Sequence, residues 1–233
     1  MITVLVPEGT LQPGSVVVLP ESEAHHLKVR RAAIGSQVRL QDGAGVTAAA
    51  VLVSAGVESH VRVESVVHHA PPPTLRLVVG AGDKDRFEWL AEKAAEFGVT
   101  ELVPLVTAWS ESVSSRVRVS HLERIARRAR EATKQSGAPW APAVGALGTP
   151  EEVCGRFRDG RRWLADASGG FPSSVPAAAT TVVIGPEGGF TAAERELFLA
   201  AGFEPVRLGP YTLRFETAAL AAAALIRSVG GGD

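Results

Sequence analysis

Residues 181–203 read TVVIGPEGGFTAAERELFLAAGF. The opening run is apolar and β-branched, as a buried strand requires, and it empties into a turn in which Gly185, Gly188 and Gly189 surround one carboxylate, Glu187. Thr191 with Glu194 three residues later is a capping box, so a helix follows. A strand leading through glycines into a helix is the unit of an open α/β sheet, and such sheets bind ligands at the carboxyl ends of their strands. GPEGGF lacks the lysine and hydroxyl of a P-loop and the three-glycine spacing of a dinucleotide turn, and Glu187 would repel phosphate. Bare backbone beside a carboxylate suits a ligand with a planar base, hydroxyls and a positive centre. A tight turn needing positive φ, with a surface glutamate, accounts for this motif equally well.

Working outward, strands and helices alternate on both sides of this stretch. LRLVVGAG predicts a strand, DRFEWLAEKAAEFG an amphipathic helix ending at Gly98, and TELVPLVT another strand. A long helix from Ser120 to about Gln135, a short one near Glu151 to Phe157, and strands at RWLADA and EPVRLG complete an α/β region with a mostly parallel sheet. Ser120 with Glu123, and Thr149 with Pro150 and Glu152, repeat the capping signature of Thr191. The stretch DASGGFPSSVPAAATT reads as a loop. The first seventy residues differ: SVVVLP, SQVRLQDG, VTAAAVLVSA and SHVRVESVVHH are short β-branched runs, as in a small barrel or sandwich. One helix interrupts them, ESEAHHLKVRRAAIG, with Ser22 as its expected cap and Gly35 as its end. Three prolines in HHAPPPT, residues 68–74, mark the linker, dividing the chain into domains 1–70 and 74–233.

A second motif is LGPYTLRFETAALAAAALIRSV, residues 208–229. Gly209 and Pro210 turn the chain after a strand, and Arg214 and Glu216 stand immediately before a helix made almost entirely of alanine and leucine. Glu216 and Thr217 suit a helix N-terminus. Arg214 opposes the macrodipole there and requires either an anionic partner or an ion pair with Glu216.

Composition narrows the function. A hydrophobic fraction of 45% with 21% charged residues is that of a globular protein, and no apolar run is long enough to span a bilayer. The start, MITVLVPEGT, carries no basic flank or long apolar region, which predicts a cytoplasmic location. A single cysteine, Cys154, excludes an internal disulfide and argues against a thiolate metal site. The net charge of −1 is no global attraction for nucleic acid, so any such contact must come from local patches. Only four lysines occur among 24 basic residues, so some arginine clusters reflect compositional bias.

IGPEGGF and LGPYTLRFETAAL, together with DKDRFEWLAEKAAEFGVTELVPL and EATKQSG, resemble the bacterial 16S rRNA uridine N3-methyltransferases of the SPOUT, or trefoil-knot, class. The resemblance runs along the chain and implies an N-terminal PUA-like β-barrel domain followed by a SPOUT α/β trefoil-knot methyltransferase domain, in a homodimer. It implies S-adenosyl-L-methionine as cofactor and, as acceptor, the N3 of a uridine in 16S rRNA or in the 30S ribosomal subunit. Carried over position by position, the cofactor would be bound by Ile184, Gly185, Pro186, Glu187, Gly188 and Gly189, by Leu208, Gly209 and Pro210, and by Leu213 and Thr217. Arg214 could stabilise charge developing on the imide, and Glu187 or Glu216 could accept the proton. No metal is implied. Where the family usually reads Glu-Gln-Ser-Gly-Arg this chain has KQSGA, with Lys134 for the glutamate, Ala138 for the arginine, and Trp140 where a basic residue is common.

Two basic patches are candidates for RNA. Between Arg116 and Lys134 seven basic residues face two acidic ones, and Arg124, Arg127, Arg128 and Lys134 share helical spacing, with Gln135 beyond. The other is HHLKVRR, with His26, Lys28, Arg30 and Arg31; its adjacent histidines lack a third ligand for a metal. A solvated helix in an arginine-biased chain is the alternative for the first patch. Two other functions compete with methyl transfer: a catalytically silent RNA-binding protein, which intact GPEGG and LRFET disfavour, and a nucleotide-dependent oxidoreductase, disfavoured by the absent dinucleotide fingerprint.

Overall fold

The structure, a computed structural model, describes residues 1–56, 58–172 and 179–230. The chain divides into two compact units, residues 1–71 with 131–141, and residues 72–130 with 142–233.

The first unit is a five-stranded sheet in the order β1-β3-β4-β5-β2 with one helix. Its strands are β1 (Ile2–Leu5), β2 (Val16–Val18), β3 (Gln37–Gln41), β4 (Val46–Ser54) and β5 (His60–His68). Strand β1 pairs parallel to β3 and the other pairs are antiparallel. Alternate residues such as Val38, Leu40, Ala48, Ala50, Val61 and Val63 turn inward onto one core, and bulges between β4 and β5 curl the sheet. Helix α1 (Glu21–Val29) starts directly after Pro20, whose φ is fixed at −53°, so Ser22 lies inside the helix and does not cap it. It ends at Arg30 instead of Gly35, with Arg31 at φ 56°.

Residues 131–141 return to this unit. Gln41 donates to the Thr133 hydroxyl at 2.6 Å, and the Lys134 ammonium meets Glu23 at 2.8 Å and Glu131 at 2.5 Å. The Trp140 ring packs against Gly45 and donates its N–H to the Ala70 carbonyl at 3.1 Å, while the backbones of Gly43 and Gly45 pair with Ala141 and Pro139.

The second unit is a six-stranded parallel sheet in the order β11-β9-β10-β6-β7-β8. Its strands are β6 (Leu75–Gly80), β7 (Glu101–Leu105), β8 (Ala143–Val144), β9 (Arg161–Gly170), β10 (Thr180–Ile184) and β11 (Glu204–Val206). Leu75, Leu77 and Val79 of β6 with Val182 and Ile184 of β10 face helices α2 (Lys84–Glu96), α3 (Leu122–Ser136) and α6 (Phe215–Gly230). The intervening Val78 and Val183 face α4 (Pro150–Arg156) and α5 (Ala192–Ala200). Two apolar faces on one sheet are what a parallel strand buried on both sides demands. The expected boxes form at Thr149 with Glu152 and at Thr191 with Glu194. Asp83, not anticipated, caps α2. Ser120 does not cap α3, because it lies within a 3-10 turn, Val119–His121, where the backbone N–H of Arg118 donates to the His121 ring. The stretch expected as a loop at 166–181 is β-strand through Gly170 and again from Thr180, and residues 173–178 lie outside the described residues.

Gly45 has φ 95°, and a Cβ there would stand 2.2 Å from the Trp140 ring. Gly45→Ala should therefore cost about 1–3 kcal/mol through overpacking, seen as a loss of several degrees in Tm by thermal circular dichroism. An unchanged Tm would show that the Trp140 seat is not a constraint.

Candidate active site

Strand β10 lies between β6 and β9, so the turn after it emerges at the middle of the sheet's carboxyl edge. Two glycines of the neighbouring β6 end make room for it. A Cβ on Gly80 would stand 2.3 Å from the Pro186 nitrogen, and one on Gly82 would stand 2.5 Å from the Glu187 carboxylate. The Glu187 side chain therefore lies across bare backbone at Gly82, close to the Phe215 ring. Gly189, at φ 72°, completes the turn by donating its N–H to the Pro186 carbonyl at 2.8 Å.

Strand β9 supplies the second wall by leaving the ladder. Its Leu164 pairs with Val183 and Pro205, and the next β11 partner is Gly170 opposite Val206, so residues 165–169 bulge outward. Asp166 holds the bulge: its carboxylate accepts the Ser168 N–H at 2.7 Å and the Arg195 guanidinium at 2.6 Å. Burial opposes ionisation of Asp166, but hydrogen bonds from Ser168 and Arg195 outweigh it, and its pKa lies below the ordinary carboxylate value. Arg207 grips the same bulge through Nε and Nη2 on the Ala167 carbonyl, at 3.0 and 2.5 Å.

The third wall is the turn after β11. Its Gly209 leaves space for Leu213, whose side chain would lie 3.2 Å from a Cβ there. Together the three walls enclose a cavity of about 830 Å³. Expected cofactor residues Ile184, Gly185, Pro186, Glu187, Gly189, Leu208, Gly209, Pro210 and Leu213 all line it, as does Arg214. Gly188, Thr217 and Glu216 do not. Gly188 is turned onto Trp109, 2.8 Å from the position of its missing Cβ. Thr217 is exposed away from the wall, and Glu216 is 8% exposed beneath the start of α6, with Oε2 lacking a hydrogen-bond partner. No ion pair joins Arg214 to Glu216: Arg214 is exposed and makes no salt bridge among the described residues. Arg86, Asp166, Arg195, Arg207, Phe190 and Tyr211 also line the cavity, and none was singled out from sequence.

The predicted basic residues meet different fates. Arg124 pairs with the buried Glu88 of α2, and Arg128 reaches Glu88 at 3.9 Å and Glu92 at 3.7 Å, so both are partly neutralised by α2. Lys134 is taken by Glu23 and Glu131 and is 17% exposed, so it is not a free contact. Arg127 and Gln135 remain exposed, as do Lys28, Arg30 and Arg31, with His26 half-buried. Among the described residues no three His, Cys, Asp or Glu side chains gather as a metal site, and no helix is long and apolar enough to cross a membrane.

Residues 69–227 match the family described as the RNA methyltransferase domain. The chain belongs to this family. A relative from Synechocystis, "Ribosomal RNA small subunit methyltransferase E", is 31% identical over 97% of this chain and 77% of its own length. One of the same name from Rickettsia conorii is 29% identical over 67% of this chain, and the match spans 65% of that protein. A crystal structure of the Neisseria gonorrhoeae protein of that name, bound to S-adenosyl methionine, superposes with a TM-score of 0.85 at 27% identity over 98% of both chains. This family member therefore has an α/β fold in which a curled β-sheet unit precedes the parallel sheet that carries the cavity.

Asp166→Asn should loosen the bulge, lowering stability at pH 7 by about 1–3 kcal/mol. Because the folded pKa of Asp166 is depressed, its contribution is complete above the unfolded value of about 4 and is lost as pH falls through the folded one. The Tm difference between wild type and Asp166→Asn should then be constant from pH 5 upward and shrink below pH 4. A difference independent of pH would assign the effect to something other than the charge.

Proposed function

We propose that this chain transfers a methyl group from S-adenosyl-L-methionine to the N3 of a uridine in 16S rRNA of the small ribosomal subunit. The observation that carries this reading is the glycine-lined cavity of about 830 Å³ at the carboxyl ends of β9, β10 and β11, in a chain of the RNA methyltransferase family, with an uncommitted arginine in its wall. The names of the relatives, and the cofactor in the Neisseria gonorrhoeae structure, support the substrate class and the cofactor.

The wall fits such a cofactor. Turns 184–189 and 208–210 offer backbone donors and acceptors to a base edge and hydroxyls, and Glu187 offers a carboxylate to a positive centre. When bound there, S-adenosylmethionine supplies an electrophilic methyl carbon whose departure leaves a neutral thioether. The chain must then orient the acceptor, remove a proton and stabilise the imide anion. As the uracil N3–H loses its proton, negative charge spreads to the two flanking carbonyl oxygens, and the N3 electron pair forms the new bond to carbon. Arg214, exposed and unpaired, donates to that charge. Glu187 is the acceptor available in the wall for the N3 proton, since Glu216 does not reach the cavity. In the resembling family the active form is a homodimer, and we extend that state and a cytoplasmic location to this chain; the first unit, PUA-like by resemblance, would dock RNA through Lys28, Arg30 and Arg31.

Arg214→Ala should retain cofactor affinity by calorimetry and lose about 10²–10³-fold in transfer rate, with methylated nucleosides in 16S rRNA mapped by mass spectrometry. Normal turnover would remove Arg214 from the mechanism. On α3 the exposed Arg127 should contribute to RNA affinity: Arg127→Ala should lower the slope of log affinity against log salt by about 1 without changing Tm. Arg124→Ala, by contrast, should lower Tm first, because it uncovers the buried carboxylate of Glu88. A salt slope identical to wild type in the Arg127 variant would exclude that helix from the RNA face.

A further inference from the structure

Tyr211 is the only tyrosine of the chain, it lines the cavity, and it is 83% exposed. Its hydroxyl makes no hydrogen bond among the described residues. The turn in which it stands does not need it, since Leu213 fills the space over Gly209. A large aromatic ring kept in water beside a cavity, with no packing or hydrogen-bonding duty, is available for a ligand.

The charges of the same wall indicate the ligand's character. Arg195 is committed to Asp166 and Arg207 to the Ala167 carbonyl, whereas Arg86 and Arg214 make no ion pair among the described residues. Arg214, with Arg86, whose charge also acts on Asp83, against Glu187, the wall carboxylate that makes no ion pair among the described residues, leaves the wall receptive to an anion. A planar base carrying a phosphate satisfies both the ring and the arginines. The cavity volume lies near the top of the roughly 300–1,000 Å³ range of small-ligand sites, which leaves space for a nucleobase beside a cofactor. The N3 of uracil is on its pairing edge, so an acceptor base must be unpaired and swung out of its stack before N3 can be reached. A base removed from its stack loses contact on both faces and needs a replacement surface.

We infer that Tyr211 is the stacking platform for the extruded acceptor uracil, a positioning residue that holds the base edge toward the methyl donor while Arg86 meets the nucleotide phosphate. This rests on the methyl-transfer reading above.

The test uses the full-length protein, wild type and as Tyr211→Phe, Tyr211→Leu and Tyr211→Ala. Three quantities are measured: S-adenosylmethionine affinity by calorimetry, kcat/KM for methyl transfer to unmodified small subunits, and photo-cross-linking to a 4-thiouridine-substituted 16S transcript in the presence of S-adenosylhomocysteine. Tyr211→Ala and Tyr211→Leu should lower kcat/KM by about 10-fold to 100-fold with cofactor affinity within two-fold of wild type. Tyr211→Phe should retain most of the activity, because the ring and not the hydroxyl is used. The wild-type cross-link should map to residue 211. A cofactor affinity that falls in step with kcat/KM would give the ring to the cofactor and overturn the proposal. So would unchanged kinetics in Tyr211→Ala, or a cross-link elsewhere in the cavity with none at residue 211. If wild type transfers no methyl group to RNA, the methylation reading fails; a cross-link at Tyr211 then upholds the base platform by itself, and its absence ends both.

Discussion

The approach of the β10 turn to the end of β6 governs the geometry of the site. With β10 inserted between β6 and β9, the two chains leave the sheet side by side, and Pro186 and Glu187 lie on Gly80 and Gly82 at distances that leave no room for a Cβ. A side chain at either glycine would push the turn outward, displacing Ile184–Gly189 from the wall that it shares with the β9 bulge and the β11 turn. The bare backbone of β6 is therefore as much a part of the site as the motif that touches the cavity. Packing at this density transmits a misfit of one methyl group directly to the neighbouring loop.

A second ordering principle is the division of arginines into those already used and those left free. The bulge of β9 has no ladder partners at residues 165–169, and it keeps its shape because Asp166, Ser168 and Arg195 form a closed set while Arg207 grips the Ala167 carbonyl. Those contacts fix the wall in advance, so ordering it does not consume binding energy. Arg214 has the opposite character. Placed just before the N-terminus of α6, it faces the positive end of the helix dipole, an arrangement that costs about 0.3–1 kcal/mol and has no compensating partner among the described residues. In the proposed reaction that cost is recovered when the imide anion forms beside it.

What could be read from the sequence follows the range of each interaction. Capping boxes at Thr149 and Thr191 were legible because hydroxyl, amide and carboxylate lie within three residues. The alternating α/β region and the β-rich start were legible from hydrophobic period, and of the eleven residues expected to hold the cofactor nine, read from two glycine motifs, line the cavity. The helices do not start at Ser22 and Ser120, because Pro20 and a 3-10 turn take over the helix starts. Residues 166–170 have loop composition yet run on as strand, since the pairing that extends them comes from Arg207, whose N–H donates to the Gly170 carbonyl. The net charge of α3 is not readable from its own sequence, because the partners Glu88 and Glu92 lie on another helix, remote in sequence. Tyr211 carried a usable signal, an aromatic residue inside the GP turn, but its exposure could be known only from the fold.

The two carboxylates considered for proton removal are separated by the same geometry. Glu216 is buried at the first turn of α6, outside the lining of the cavity. Glu187 lies across Gly82 on the cavity wall and is open to solvent. In the proposed reaction an exposed carboxylate suffices, because the acidity of the N3 position can be raised from the other side. An arginine held against the flanking carbonyls stabilises the imide anion before and during bond formation, so the acceptor needs position more than basicity. The burden of catalysis then falls on Arg214 and on the surface that holds the base, and the glycine turn that first marked the site acts as its fixed backbone frame.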